Sequence, residues 1–320
     1  MFSYALISKL SEKIEKGEQS ILFLNRRGYN SFVMCRDCGY TAKCESCDVS
    51  LVYHKEDNEL KCHYCGRRYH MLSECPECHS KYIRYGAIGT QKVVDEIHNL
   101  FPNVKVFRMD NDTTKTKNSH EQILSEFAKT KPCILVGTQM IAKGLDNPNV
   151  TLVGVLSADS GFNIPDFRAS ERGFQLLTQV AGRAGRGEFK GKVLFQTYNP
   201  DYYAFQTAKA QDYEKFFETE IKARQEFDYP PFSQIIRLIL SSQNNFRAEK
   251  SAMEIALRLT TMTEKFGFGE YLETLGPTPC VIEKLNGYYR FQILIKNKLS
   301  QKGHDFVSKF LSKITLPNDI

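Results

Sequence analysis

Eight of the ten cysteines fall in four C-x-x-C pairs within residues 35–78: Cys35 and Cys38, Cys44 and Cys47, Cys62 and Cys65, Cys75 and Cys78. Two cysteines two residues apart can turn both sulfurs onto one ion. Two such pairs complete a tetrahedral zinc site with no position left for substrate. Four pairs therefore predict two structural Zn2+ ions in a reduced, cytoplasmic protein, not a disulfide-stapled secreted one. Successive pairs are separated by 5, 14 and 9 residues, which leaves sequential, nested and interleaved partitions open. A sequential first site would close a cramped loop of five residues. A nested one places Cys44, Cys47, Cys62 and Cys65 on an inner hairpin, with Cys35, Cys38, Cys75 and Cys78 at its base. Spacing leans to nesting and leaves the interleaved arrangement standing. His54, His63, His70 and His79 read as bystanders, because eight cysteines already fill two sites. Cys133 and Cys280 sit in apolar runs and read as core residues.

A second chemistry is anion binding. In TQVAGRAGRGEFKG, Arg183 and Arg186 stand three apart among Gly182, Gly185 and Gly187, one turn beyond Gln179. Glycines let a bulky anion approach, and the guanidinium fork suits phosphate oxygens. In VGTQMIAKGLD, Thr138 ends an apolar run and Lys143, Gly144 and Asp146 follow. Ligands of open parallel sheets bind at the carboxyl ends of strands, so the two loops are expected to face one cleft.

The elements that must hold these loops are legible from periodicity. Apolar runs at 21–25, 104–110, 133–138, 150–156 and 192–198 read as strands, and 3–17, 90–100, 119–129 and 169–181 as helices. Strands alternating with amphipathic helices predict an α/β parallel sheet covered on both faces. The cysteine block interrupts it. Beyond Pro200 come an aromatic-rich helical stretch over 201–227, then strands, a helix near 246–266, an Asn286-Gly287 hairpin turn and a last helix near 302–314. These read as a small α+β domain. The expected division is 1–34 with 79–200, 35–78, and 201–320. The aromatics of 201–232 read as core at their spacing, in preference to a base-stacking platform.

The chain of 320 residues, 42% hydrophobic and 25% charged, has an ordinary globular composition with room for about two domains. It shows neither an apolar run long enough to span a membrane nor a secretory cleavage pattern. The formal charge of +6 divides as 0 over residues 1–80, +5 over 81–200 and +1 over 201–320. The basic excess thus sits in the segment with the anion-binding loops.

The motifs carry a resemblance. QVAGRAGR is similar to motif VI of superfamily 2 helicases, the arginine-finger motif, GTQMIAKGLD to motif V, and LFLNRRGY to a motif IV. With IPDFRASER, DYPPFSQIIRL and LGPTPCVIEKL, and a zinc block interrupting a motor lobe, nearly the whole chain resembles the carboxyl-terminal part of the PriA family of replication-restart helicases. The resemblance implies a RecA-like second helicase lobe with an inserted two-zinc module, nested zinc sites, and an ATP-dependent 3′-to-5′ DNA helicase as the complete protein. Such a protein remodels stalled or branched forks and starts primosome assembly. Arg183 and Arg186 would reach nucleotide phosphates, Gln179 would couple that contact to DNA, and Gly144 with Asp146 would lie by the ribose. Thr138, Lys143, Arg26 and Arg27 would touch DNA. Implied partners are forks and single-strand/duplex junctions, other primosome proteins, single-strand-binding protein and the helicase-loading system; no membrane is expected. One departure stands out: the family carries His-Asp-Phe where this chain has Leu145-Asp146-Asn147.

A motor of this class needs a P-loop for ATP and Mg2+. Gly-Lys occurs only as Gly191-Lys192 and is followed by valine. VVDEIH at 93–98 spells a DExH box, but its apolar residues have helical spacing, and it reads as a surface helix. The chain is therefore expected to be the second of two motor lobes, cut from a longer protein or a truncated frame. The competing reading is a non-catalytic zinc-ribbon fragment that binds DNA or protein.

Overall fold

A computed structural model describes residues 1–24, 33–47, 49–54, 58–85, 90–110, 113–114, 119–138, 141, 147–182 and 191–315. Helix α1 (Tyr4–Glu15) leads into β1 (Gln19–Leu24). The insert then contributes β2 (Val33–Cys35), β3 (Val52–His54), β4 (Glu59–Lys61), β5 (Arg68–Tyr69) and β6 (Ile83–Tyr85). The α/β alternation resumes with α2 (Thr90–Leu100), β7 (Lys105–Met109), α3 (Ser119–Lys129), β8 (Cys133–Gly137), β9 (Val150–Leu156), α4 (Ala169–Ala181) and β10 (Lys192–Phe195).

The five long strands form one parallel sheet in the order β10-β9-β1-β8-β7. Side chains alternate between its faces. Ile21 and Phe23 of β1 join Leu135, Val153 and Val155 under α3 and α4. Leu22 and Leu24 join Ile134, Val136 and Leu152 under α1 and α2. Every residue of β1, β8 and β9 is buried, as a doubly covered sheet requires. The DExH-like string lies in α2, with Val93, Val94 and Ile97 in the core and Asp95 exposed. It is a surface helix, as its spacing indicates.

The insert leaves the sheet at the end of the central strand. Its stem is the antiparallel pair β2–β6, which brings the two crossing points together, and beyond it β3, β4 and β5 form a three-stranded ribbon.

After Pro200 come α5 (Tyr203–Ala210) and α6 (Tyr213–Glu226), then β11 (Gln234–Ser242), α7 (Asn245–Lys265), β12 (Leu272–Leu285), β13 (Tyr288–Asn297) and α8 (Gln301–Leu311). Sequence places α5 and α6 with the C-terminal domain. Their apolar stripe instead finds its partners on the parallel sheet: Phe216 stacks on Phe174 at 4.2 Å between ring centroids, and Phe205 meets Phe162 edge-on at 4.8 Å. These aromatics are core, while Tyr213, Phe217 and Phe232 stay exposed.

The C-terminal sheet, β11-β13-β12, is antiparallel. Asn286 and Gly287, both at positive φ, make its hairpin turn, the conformation that suits two-residue loops. Its two faces serve different neighbours. Phe291, Ile293 and Ile295 pack under α7 and α8, whereas Leu294 points the other way into the ribbon's core with Tyr64 and Tyr229. Among the described residues no helix is long and apolar enough to cross a membrane.

Candidate metal centre and motor-lobe loops

The structure groups the paired cysteines in nested fashion. Cys35, Cys38, Cys75 and Cys78 form an outer cluster, and Cys44, Cys47, Cys62 and Cys65 an inner one, the ligand atoms of each within 4.8 Å of one another. Sulfur–sulfur distances of 3.6 Å (Cys35–Cys78), 3.5 Å (Cys38–Cys75) and 3.7 Å (Cys44–Cys65) match the ~3.8 Å between thiolates that surround one zinc at ~2.3 Å. The donor sets and spacings suit two structural zinc ions.

Local backbone makes the clusters possible. The amide of the residue after the second cysteine donates to the carbonyl of the first: Gly39 to Cys35, Gly66 to Cys62 and His79 to Cys75. Each of these residues has positive φ, which glycine adopts without strain. Gly39 is needed twice over, since a Cβ there would lie 2.8 Å from the Tyr198 carbonyl oxygen of the motor lobe. Amides of Asp37 and Tyr64 donate to the sulfurs of Cys35 and Cys62 at 3.4 Å. Burial works to raise the Cys35 thiol, but amide hydrogen bonds from Cys38 and Asp37 overcome it and bring the thiol down to about 7. Hydrogen bonds from Cys47 and its neighbours, with another from Tyr69 Oη, hold Cys44 far below the usual thiol range. The same contacts push Cys38, Cys47 and Cys62 the other way, as expected of thiols that share protons within one cluster.

The inner knuckle is also a joint. Tyr229 Oη donates to the Cys47 carbonyl at 2.6 Å, and Phe167 of the motor lobe donates its amide to Tyr64 Oη at 3.2 Å. From the C-terminal sheet, Thr278 Oγ1 donates to the Cys62 carbonyl and Gln292 Nε2 to that of His63. His54 and His63 lie outside both cysteine clusters, as expected of bystanders to them, yet they meet each other. Their Nε2 atoms stand 3.1 Å apart, and with Glu283 of β12 they form a third group of potential ligands. Burial pushes His63 down to about 4. Tyr229, Thr278, Gln292 and Glu283 carried no sequence signal, because their role depends on a contact made 150 or more residues away.

Of the motor-lobe residues, Thr138 and Gln179 are described. Thr138 is buried at the carboxyl end of β8, its amide donating to the Met109 carbonyl at 3.2 Å, and Gln179 lies exposed on α4 beside buried Val180. Arg26, Arg27, Lys143, Gly144, Asp146, Arg183 and Arg186 lie outside the described residues, and so does the shared cleft expected of the two loops. The end of the motif V segment is visible. Asn147, buried, donates from Nδ2 to Gln19 Oε1 at 2.8 Å, and Gln19 Nε2 in turn donates to the carbonyls of Phe127 (2.6 Å) and Thr130 (2.8 Å). Asn147 thus has its own anchor on the central strand. Asn147→Ala leaves Gln19 Oε1 without its donor and is expected to cost about 1–3 kcal/mol in urea unfolding; a change under a few tenths would show the bond is dispensable.

A doubly covered parallel sheet with a two-cluster cysteine ribbon inserted after its central strand has the architecture of a helicase motor's second lobe carrying a zinc module. Comparison with known proteins agrees. Residues 84–188 match the helicase conserved C-terminal domain, 44–69 the Cys-rich region domain of PriA DNA helicase, and 225–315 the primosomal protein N C-terminal domain. The chain belongs to the PriA family of replication restart proteins and corresponds to their carboxyl-terminal portion. It is 49% identical over 311 residues to replication restart protein PriA of Bacillus subtilis, covering 97% of this chain and 38% of that protein. The Synechocystis protein is 43% identical over 300 residues (92% and 36%), and that of Borreliella burgdorferi 36% over 318 residues (99% and 47%). The chain therefore spans less than half the length of these relatives.

Proposed function

We propose that this chain forms the second motor lobe, zinc module and C-terminal domain of an ATP-dependent 3′-to-5′ DNA helicase that binds and remodels stalled or branched forks and starts primosome assembly. One observation carries the reading: a helicase C-terminal match over 84–188 lies on a doubly covered parallel sheet, and its α4 helix runs through Gln179 straight into the arginine motif. In this reading a P-loop lobe holds ATP and Mg2+, and this chain supplies Arg183 and Arg186 to the phosphates. Gln179 couples that contact to DNA, Gly144 and Asp146 lie by the ribose, and Thr138, Lys143, Arg26 and Arg27 track the strand's phosphates. The eight cysteines hold two Zn2+, and the module they stiffen meets fork DNA and primosome partners, among them single-strand-binding protein and the helicase-loading system, in the cytoplasm.

Hydrolysis of this type needs both lobes, so purified residues 1–320 should bind forked DNA weakly, with affinity falling steeply with salt, and should turn over little ATP. Joining the chain to a P-loop lobe should restore DNA-stimulated hydrolysis. Robust DNA-stimulated ATPase from residues 1–320 alone would overturn this division of labour.

A further inference from the structure

We propose that His54 and His63, with Glu283 orienting the His54 ring, form a third metal site, distinct from both cysteine clusters, that takes a borderline divalent ion such as Zn2+, Ni2+ or Cu2+ and fastens the ribbon to the C-terminal sheet. The three residues come from separate places: His54 ends β3, His63 lies inside the inner knuckle, and Glu283 sits on β12. Their potential ligand atoms lie within 4.8 Å of one another.

The ring nitrogens are oriented by their outer partners. His63 Nδ1 is 2.7 Å from the Pro279 carbonyl oxygen, and His54 Nδ1 is 3.0 Å from Glu283 Oε1. A carbonyl oxygen and a carboxylate only accept, so each Nδ1 carries its ring's proton and each Nε2 presents a lone pair. Those two Nε2 atoms are 3.1 Å apart. Two lone pairs at that distance repel unless a positive centre lies between them. Two imidazole nitrogens bound to one ion at ~2.0–2.1 Å stand about 3.3–3.4 Å apart at the tetrahedral angle, and the observed 3.1 Å corresponds to an angle of about 100°, a modest compression of that geometry. Donation from Nδ1 to a carboxylate or backbone carbonyl is also how metal-bound histidines are held in orientation. Two imidazole nitrogens as the protein ligands favour zinc, nickel or copper over magnesium or calcium. Access is open on one side: the Glu283 side chain is 49% exposed, whereas His63 is buried. The competing occupant is a single proton shared by the two rings.

Metal analysis of the 320-residue chain after equilibration with excess buffered Zn2+ separates the two. The proposal expects three zinc ions per chain for the parent and two for His54→Gln, whose partly exposed side chain can change without opening the core. Glu283→Gln should keep the third ion but weaken it about 10–100-fold, the usual cost of losing an orienting partner. Cu2+ loaded at one equivalent beyond the two zincs should show coupling to two nitrogens by electron paramagnetic resonance, lost in His54→Gln. Two zincs in the parent would mean that only a proton joins the histidines. Three in His54→Gln at unchanged affinity would place the extra ion elsewhere. Either result overturns the site.

Discussion

Cys44→Ser should leave one of the two zinc ions held by the cysteine clusters, and should detach the C-terminal sheet from the ribbon without unfolding the parallel sheet. The inner cluster is the point at which three bodies meet. Cys47 and Cys62 lend their carbonyls to Tyr229 and Thr278, Tyr64 receives the Phe167 amide, and the ribbon's core includes Leu294 of β13. A structural zinc contributes an apparent ~10–16 kcal/mol to the folding of small zinc modules, far more than these few hydrogen bonds replace. The outer cluster has its own knuckles and its own backing on the motor lobe at Gly39. Elemental analysis reads the zinc count, and hydrogen exchange reads the joint. Amides of β12 and β13 should lose protection while those of β1, β8 and β9 keep theirs. Loss of both zincs would show that the clusters fold as one unit, and unchanged exchange in β12 would remove the inner zinc from the joint.

The second large effect falls on catalysis. With the chain joined to a P-loop lobe, Arg183→Ala and Arg186→Ala should each lower DNA-stimulated ATP hydrolysis by about 10³–10⁵-fold, the range over which transition-state arginines act in such motors. Zinc content and thermal unfolding should stay those of the parent, since both arginines stand among three glycines in a stretch of sequence, 182–187, with no large apolar residue. Rates within threefold of the parent for both variants would remove these arginines from the phosphates. A large loss in one alone would assign the finger to it.

The motor lobe is read easily from sequence because its information is local. Continuous apolar runs such as ILFL and CILVG declare strands buried on both faces, and the stripe of Val93, Val94 and Ile97 disqualifies the DExH-like string without any tertiary knowledge. Cysteine spacing gave the number of metal sites but left their partition open, which only the fold decides. Two features escaped. The helices α5 and α6 carry an apolar stripe that fits either neighbour, and packing on Phe162 and Phe174 assigns them to the parallel sheet. The His54–His63–Glu283 group spans 230 residues, so no spacing rule reaches it. His63 looks like filler between two cysteines until β12 is placed against it.

The position of the insert bears on how the chain is born. β1 is the central strand, yet its partners β8 and β9 come more than a hundred residues later: Gln19 pairs with Cys133 and Val150. All of residues 35–78 leave the ribosome in between. At about 5–20 residues per second, the ribbon has several seconds in which to capture metal before the strand that carries it finds a neighbour. Its knuckles close over four residues and its hairpins over a dozen or so, so their loop-closure cost is met early, while the host sheet waits on distant partners. The guest is expected to fold before its host. A nascent chain starved of zinc would then present an open, cysteine-rich loop at the middle of an unfinished sheet.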